Sequence, residues 1–357
     1  MNHDPIISRL SQGINDGVFP SAELLVAQKG KVILHTCAGH LPPKHKFDLA
    51  SLTKPLATAT LSMLLTQQKC LHLTDPVQNF YPTNNLMDVS LKRLLNHTSG
   101  LIDCVPFFQQ WDTKDPPHYK ARRQHVLKKI GNDNTLKQHG HHVAYGDLGY
   151  VLMGAILEQV ALAPLDQLFS RLIAQPLKLL EDVFFVPLDQ PPRIEKHCFV
   201  PTEFSQHRQR IIQGEVMDDN AYALGGVCGH AGLFGNARGV HAILNELRDA
   251  SLGKSKIFEE QTFKIFCAPP HNRNWTERFF TAGFDTPTKN ISQSGTLFSK
   301  DTIGHLGFSG TSFWWDLTRD FWIILLTNRT MPERDNVRIK TFRPPLHDLI
   351  ITSLKLV

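Results

Sequence analysis

Apolar, β-branched and aromatic runs sit at the two ends of this chain, and helical periodicity fills the space between. Near the N-terminus, "AELLVAQKGKVILHTCAG" (22–39) reads as two strands around a Lys-Gly turn. Near the C-terminus, "IGHLGFSGTSFWWDL" and "DFWIILLTNRT" (303–317, 320–330) read as an antiparallel hairpin turning through "DLTRD". Strand edges must be paired, so these distant segments are expected to form one antiparallel sheet. Ile7, Leu10, Ile14 and Val18 recur at helical steps, and Leu346, Leu349, Ile350, Leu354 and Val357 do so after Pro344 and Pro345. The first and last helices are therefore expected to cover the sheet. Helical patterns from Leu52 to about Leu71, around "SLKRLLNHTSGL", from Tyr119 to Ile130 and from Leu148 to Val160 lie in between. The expected class is a mixed α/β fold of the α+β type, with a mainly helical domain inserted in an antiparallel-sheet domain. The domain boundaries read as 1–50 plus 267–357 for the sheet domain and 51–266 for the helical one, with the active site at their interface.

Several partners are set aside by composition. A formal charge of +5 spread over 357 residues makes no case for nucleic acid. The basic stretch from Lys120 to Lys129 reads as a solvated helix face. No apolar run reaches the roughly 18 residues of a membrane span, and the first residues lack the pattern of an export signal. Cytoplasmic residence is the expectation. The six cysteines are scattered without a C-x-x-C pair and read as free thiols of a reducing compartment.

"FDLASLTKPLATAT" (47–60) passes from an extended apolar segment into a helix. Ser51 and Lys54 are one turn apart and can share a helix face. Two readings fit: a hydroxyl cap at a helix start, or a nucleophile with a proton partner. The pattern alone does not choose, because "SLGK" (251–254) repeats it in a polar stretch. Two further segments bear on the choice. Tyr145 and Asp147 lie two residues apart just before a helix. His305 and Gly307 are expected on a strand beside small residues, with Gly307 permitting close approach to the backbone.

Together these resemble the serine β-lactamase-like family, which includes class C β-lactamases, D-Ala-D-Ala carboxypeptidases, D-aminopeptidases and esterases. Its S-x-x-K matches Ser51 and Lys54, its Y-x-N matches Tyr145-Gly146-Asp147, and its K-T-G or H-T-G matches His305-Leu306-Gly307, in the right order. "LLNHTSGL", "GEVMDDNAYALGGVCGHAGLFGNA" and "GHLGFSGTSFWWD" are similar to common family segments, so the resemblance spans nearly the whole chain. It implies a serine hydrolase in which Ser51 forms an acyl-enzyme, Lys54 and Tyr145 handle its proton, and the N–H groups of Ser51 and Phe308 form an oxyanion hole. Asp147, His305 and Gly307 would meet the substrate.

Two departures bear on mechanism. Asp147 stands where the family has Asn; ionised Asp can hold Lys54 charged, which favours Tyr145 as the main base. His305, mostly neutral at pH 7, stands where β-lactamases have a lysine, which favours a small ester, amide or short peptide over a β-lactam. A catalytically silent binding or scaffold protein of the same fold is the alternative. No cofactor and no metal are expected: "HGHH" (139–142) reads as a solvated loop without a companion ligand cluster. "LGGVCGHAGLFGNARG" reads as tight packing beside the cleft and Cys228 as a structural thiol. Trp314 and Trp315 are expected on opposite faces of a strand. Nothing in the sequence sets the oligomeric state.

Overall fold

The computed structural model describes residues 3–112, 118–137, 143–270 and 273–357; the histidines of "HGHH" lie outside them. In chain order the elements are α1 (Asp4–Asn15), β1 (Ser21–Gln28), β2 (Lys31–Gly39), β3 (Phe47–Asp48), α2 (Thr60–Gln67), α3 (Leu91–Leu95), α4 (Tyr119–Asn132), α5 (Leu148–Ala161), α6 (Leu165–Phe169) and β4 (Val183–Phe185). They continue with β5 (Glu203–Ser205), β6 (Arg210–Ile212), α7 (Asp219–Ala223), β7 (Leu233–Gly235), α8 (Ala237–Ser251), α9 (Glu260–Cys267), β8 (Thr302–Leu306), β9 (Ser312–Asp316), β10 (Phe321–Thr327) and α10 (Ile339–Leu354).

The terminal segments pair as their composition requires. One five-stranded sheet runs β2-β1-β10-β9-β8, antiparallel throughout. Lys29 and Gly30, both with positive φ, make the tight turn between β1 and β2. The central strands are buried on both faces, which is why "ELLVA" and "FWIILLT" read as unbroken apolar runs. Leu24, Val26, Trp314, Ile323 and Leu325 face α1 and α10 in one core. Leu25, Trp315, Trp322, Ile324 and Leu326 face the other way, in a core shared with α8 and the central helices. Trp314 and Trp315 thus lie on opposite faces, both buried. α8 comes from the middle of the chain, so this helix of the sheet's second layer is drawn from within 51–266.

Three local readings are revised. "IGHLGFSGTSFWWDL" is itself a hairpin, β8 and β9 joined by 307–311, which leaves Gly307 just past its strand. The helix after Ser51 ends at Gln67, where Lys69 takes a positive φ; it is built from a 3-10 turn (Ala50–Leu52), a π-helical segment (Lys54–Ala59) and α2. The closing helix starts at Ile339, before Pro344 and Pro345 rather than after them. Pro344 has no N–H for the carbonyl of Lys340 four residues back, and Gln293 Nε2 donates to that oxygen at 3.1 Å instead.

α10 is bound to the rest by an aromatic contact. Phe342 meets Phe19 edge-on at 5.3 Å between centroids, and the Arg9 guanidinium stands 4.5 Å from its ring. Phe342→Ala removes a buried ring that no neighbour replaces and should cost about 3–5 kcal/mol, read as a shift of the urea midpoint. An unchanged midpoint would mean that α10 is not part of the cooperative unit.

Candidate active site

Asp48 prepares the turn that presents Ser51. Its buried carboxylate accepts the Ala50 N–H at 2.8 Å through Oδ1 and the Met217 N–H at 2.7 Å through Oδ2. Ala50 is held at φ +48°, a left-handed conformation that a residue with a side chain adopts only when its surroundings impose it. Ser51 follows directly. No side chain caps the turn that begins at Ala50. The local cap reading therefore gives way: Asp48 takes the Ala50 N–H, and the Ser51 hydroxyl is free for another partner.

That partner is Lys54. Its side chain is fully buried, and its ammonium donates to Ser51 Oγ at 2.9 Å, Tyr145 Oη at 3.0 Å and Asp147 Oδ1 at 2.8 Å. A lysine has three N–H donors, and all three are used. Burial alone would lower the Lys54 pKa, but the Asp147 carboxylate and the Tyr145 oxygen outweigh it and raise the pKa above the ordinary lysine value. Lys54 is thus a fixed cation at neutral pH.

Tyr145 and Asp147 arrive from the loop before α5. Gly146 between them sits against Asp103, whose carbonyl accepts the Asp147 N–H at 2.8 Å; a Cβ on Gly146 would stand 2.6 Å from that oxygen. His97, from "LLNHTSGL", accepts the Gly146 N–H on Nδ1 at 3.2 Å and packs its ring 4.6 Å from Tyr145 and 4.6 Å from Phe280. Burial, with Lys54, His305 and Arg278 nearby, holds His97 well below the usual histidine range, so it works as a neutral spacer.

The third segment closes the site from β8. A Cβ on Gly307 would run into Thr311 Oγ1 and stand 2.8 Å from the Leu49 carbonyl oxygen, so glycine lets the 307–311 turn lie on the Ser51 segment. Ser309 Oγ donates to Asp48 O at 2.9 Å and Thr311 Oγ1 to Leu49 O at 3.1 Å, fastening that contact. The Ser51 and Phe308 N–H groups donate to no group among the described residues. His305 is buried, its Nδ1 donates to Leu306 O at 2.9 Å, and burial keeps its pKa well below the usual range. Its ring lies 5.8 Å from that of Tyr145. The structure therefore brings together Ser51, Lys54, Tyr145 and Asp147 and sets His305, Gly307 and Phe308 beside them.

Several side chains escaped the sequence reading. Asp218 accepts from Ala221 N at 2.7 Å and pairs with His230 Nε2 at 3.0 Å; the pair lies against Asp147, with the donor atoms of all three residues within 4.8 Å of one another. Burial opposes charge on His230, but Asp218 outweighs it and holds the imidazole protonated. Arg278 stands 5.4 Å from the Tyr145 ring and 4.8 Å from Phe280, with Asp285 Oδ2 at 3.6 Å. The quoted "GEVMDDNAYALGGVCGHAGLFGNA" contained Asp218 and His230, and "RFFTAGFDT" contained Arg278, but neither offers a spacing that ties them to Ser51. Cys228 is buried beside a separate hollow lined by Arg123, Val151, Glu158 and Leu165, which does not include Ser51.

A family model described as Beta-lactamase matches residues 6–343. The chain belongs to the Beta-lactamase family. Within it, this serine hydrolase is 29% identical over 353 residues to a Bacillus subtilis protein named N-acetylmuramyl-L-alanine amidase, covering 87% of this chain and 77% of that one. It is 27% identical over 362 residues to an Escherichia coli protein named a putative D-alanyl-D-alanine carboxypeptidase, covering 90% and 80%. The fold is shared with the octameric penicillin-binding protein homologue from Pyrococcus abyssi, with a TM-score of 0.75 at 15% identity over 99% of this chain and 78% of that one.

Burial pushes Asp48 up to about 6, against the pull of its two N–H donors. The folded pKa exceeds the ordinary aspartate value of 3.8, so the folded state holds an extra proton between the two. Protonation favours the fold, and stability attributable to Asp48 falls as pH rises from about 4 to about 6. Relative to Asp48→Asn, the wild type should lose about 2–3 kcal/mol across that window, measured by urea unfolding at stepped pH. A difference independent of pH would mean that Asp48 titrates as an ordinary carboxyl.

Proposed function

We propose that this β-lactamase-family hydrolase acts through an acyl-enzyme on Ser51, cleaving a small ester or an amide or short-peptide bond. The observation that carries the reading is the Lys54 ammonium, which joins Ser51 to Tyr145 and Asp147 from a segment over 90 positions away. Lys54 is held protonated by Asp147, so it does not start as the base. Tyr145, as phenolate, takes the Ser51 proton, either directly or by taking one from Lys54 while Lys54 takes that of Ser51. Ser51 Oγ attacks the carbonyl carbon, and the oxyanion is received by the N–H groups of Ser51 and Phe308. The leaving alcohol or amine departs with the proton from Tyr145. Water then enters with the roles reversed, and Ser51 is released. The negative charge that the Tyr145 oxygen carries until it takes the proton is met by Lys54 Nζ at 3.0 Å and by Arg278 on the ring.

The names carried by the two relatives support the amide and peptide side of the substrate class. His305 is neutral and so offers no fixed charge where β-lactamases have a lysine, which argues against a β-lactam as the natural substrate. Arg278, half-exposed beside Tyr145, is a cation that a peptide carboxylate can meet. No helix among the described residues is long and apolar enough by itself to cross a membrane. The cysteines are free, three of them exposed, which supports a reducing compartment such as the cytoplasm.

A fluorophosphonate probe should label the wild type and fail to label Ser51→Ala. Tyr145→Phe should acylate with an activated p-nitrophenyl ester about 10²–10⁴-fold more slowly while keeping its fold. Near-wild-type acylation by Tyr145→Phe would remove Tyr145 as the base. Rates side by side on a p-nitrophenyl ester, a chromogenic cephalosporin and a D-alanyl amide should place the cephalosporin last.

A further inference from the structure

A second constellation of reactive side chains lies at the opposite edge of the sheet. Glu23, on β1, is 1% exposed although it is an acid, and it faces the α8 side. Cys37 sits directly across the β1–β2 ladder from it, and His35 is two residues earlier on β2, so all three side chains share a face. His35 Nε2 lies 2.8 Å from Glu23 Oε1. The donor atoms of Glu23, His35 and Cys37 all fall within 4.8 Å of one another. His45, from the segment that leads into β3, brings its Nε2 to 3.1 Å from the other carboxylate oxygen, Oε2. The same Oε2 accepts the Ala237 N–H at the start of α8 at 2.9 Å.

We propose that Glu23, His35 and Cys37 form a binding site for one divalent transition-metal ion of the zinc class, with His45 holding the second carboxylate oxygen. Imidazole nitrogen, carboxylate oxygen and thiolate sulfur are the ligand types zinc takes, at bond lengths of about 2.0–2.3 Å, which set donors roughly 3–4 Å apart. Small rotations of the side chains bring this set to that spacing. Cys37 faces the buried Glu23 carboxylate across the ladder. A bound cation would deprotonate the thiol and be neutralised by thiolate and carboxylate together. His45 and the Ala237 N–H fix the orientation of the carboxylate, as outer partners of metal ligands do. His35 is 25% exposed at the side chain and Cys37 is exposed, so an ion has a route in.

His35 and Cys37 lie on the edge strand β2, four strand spacings or about 19 Å across the sheet from β8, the strand beside the Ser51 turn. The role of the site is therefore not in the acyl transfer. It joins the edge strand, the start of α8 and the 45–48 segment, which runs on into Ser51. It is also distinct from the Asp147–Asp218–His230 group, which lies at the Ser51 site through the Lys54–Asp147 pair.

Titration of the full chain with cobalt chloride tests this, since a thiolate-to-cobalt charge-transfer band reports on sulfur ligation. One equivalent should develop the band together with the strong visible absorption of four-coordinate cobalt, and zinc should displace both. Cys37→Ser should abolish the band, His35→Ala should weaken binding at least about 10-fold, and His45→Ala should weaken it about 10–100-fold. Cys37 is exposed, so its replacement leaves the core intact, and acylation of Ser51 by an activated ester should be unchanged in Cys37→Ser. Cobalt bound without the charge-transfer band, as the His139–His142 segment would bind it, overturns the proposal. So does a band that survives Cys37→Ser.

Discussion

An ammonium buried from water must find an acceptor for each of its protons, and this need organises the site around Lys54. Taking the charge out of solvent costs several kcal/mol, and leaving any donor unmet adds to that. Ser51, Tyr145 and Asp147 are the three acceptors, supplied by two separate parts of the chain. The loop before α5 therefore cannot drift from the Ser51 turn without exposing an unpaired charge. The geometry of the proposed active site and its local stability rest on the same three hydrogen bonds.

The surrounding parts keep that arrangement in place. Asp48 fixes the turn at Ala50, Gly307 and Thr311 seat β8 against it, and His97 and Gly146 seat Tyr145. The Asp218–His230 ion pair lies against Asp147, with the donor atoms of all three residues within 4.8 Å of one another. The substitution of Asp for the family's Asn reads as one part of a balanced charge arrangement.

Much of this was legible along the chain. The pairing of the end segments followed from unbroken apolar runs that only a doubly covered sheet can bury. Ser51, Lys54, Tyr145 and Asp147 could be named because their spacing and order match a known family. Other features had no such signature. His97, Asp218, His230 and Arg278 join the site through contacts between segments far apart in sequence. The π-helical stretch at Lys54–Ala59 has the same apolar pattern as an α-helix. Pro344 and Pro345 suggested a helix start, but an outside donor, Gln293, makes their place inside α10 tolerable. The Glu23 cluster depends on the β1–β2 register, which a bulge between Val26 and Ala27 shifts by a residue.

The central claim is that Lys54 stays protonated and leaves the base role to Tyr145. Heteronuclear NMR of isotope-labelled lysine, with the Lys54 ε-methylene assigned by its loss in Lys54→Arg, measures this directly. The account predicts no titration of that signal between about pH 6 and about pH 10, because Asp147 holds the proton above the ordinary lysine value. A midpoint below about pH 9 would contradict it and return the base role to Lys54.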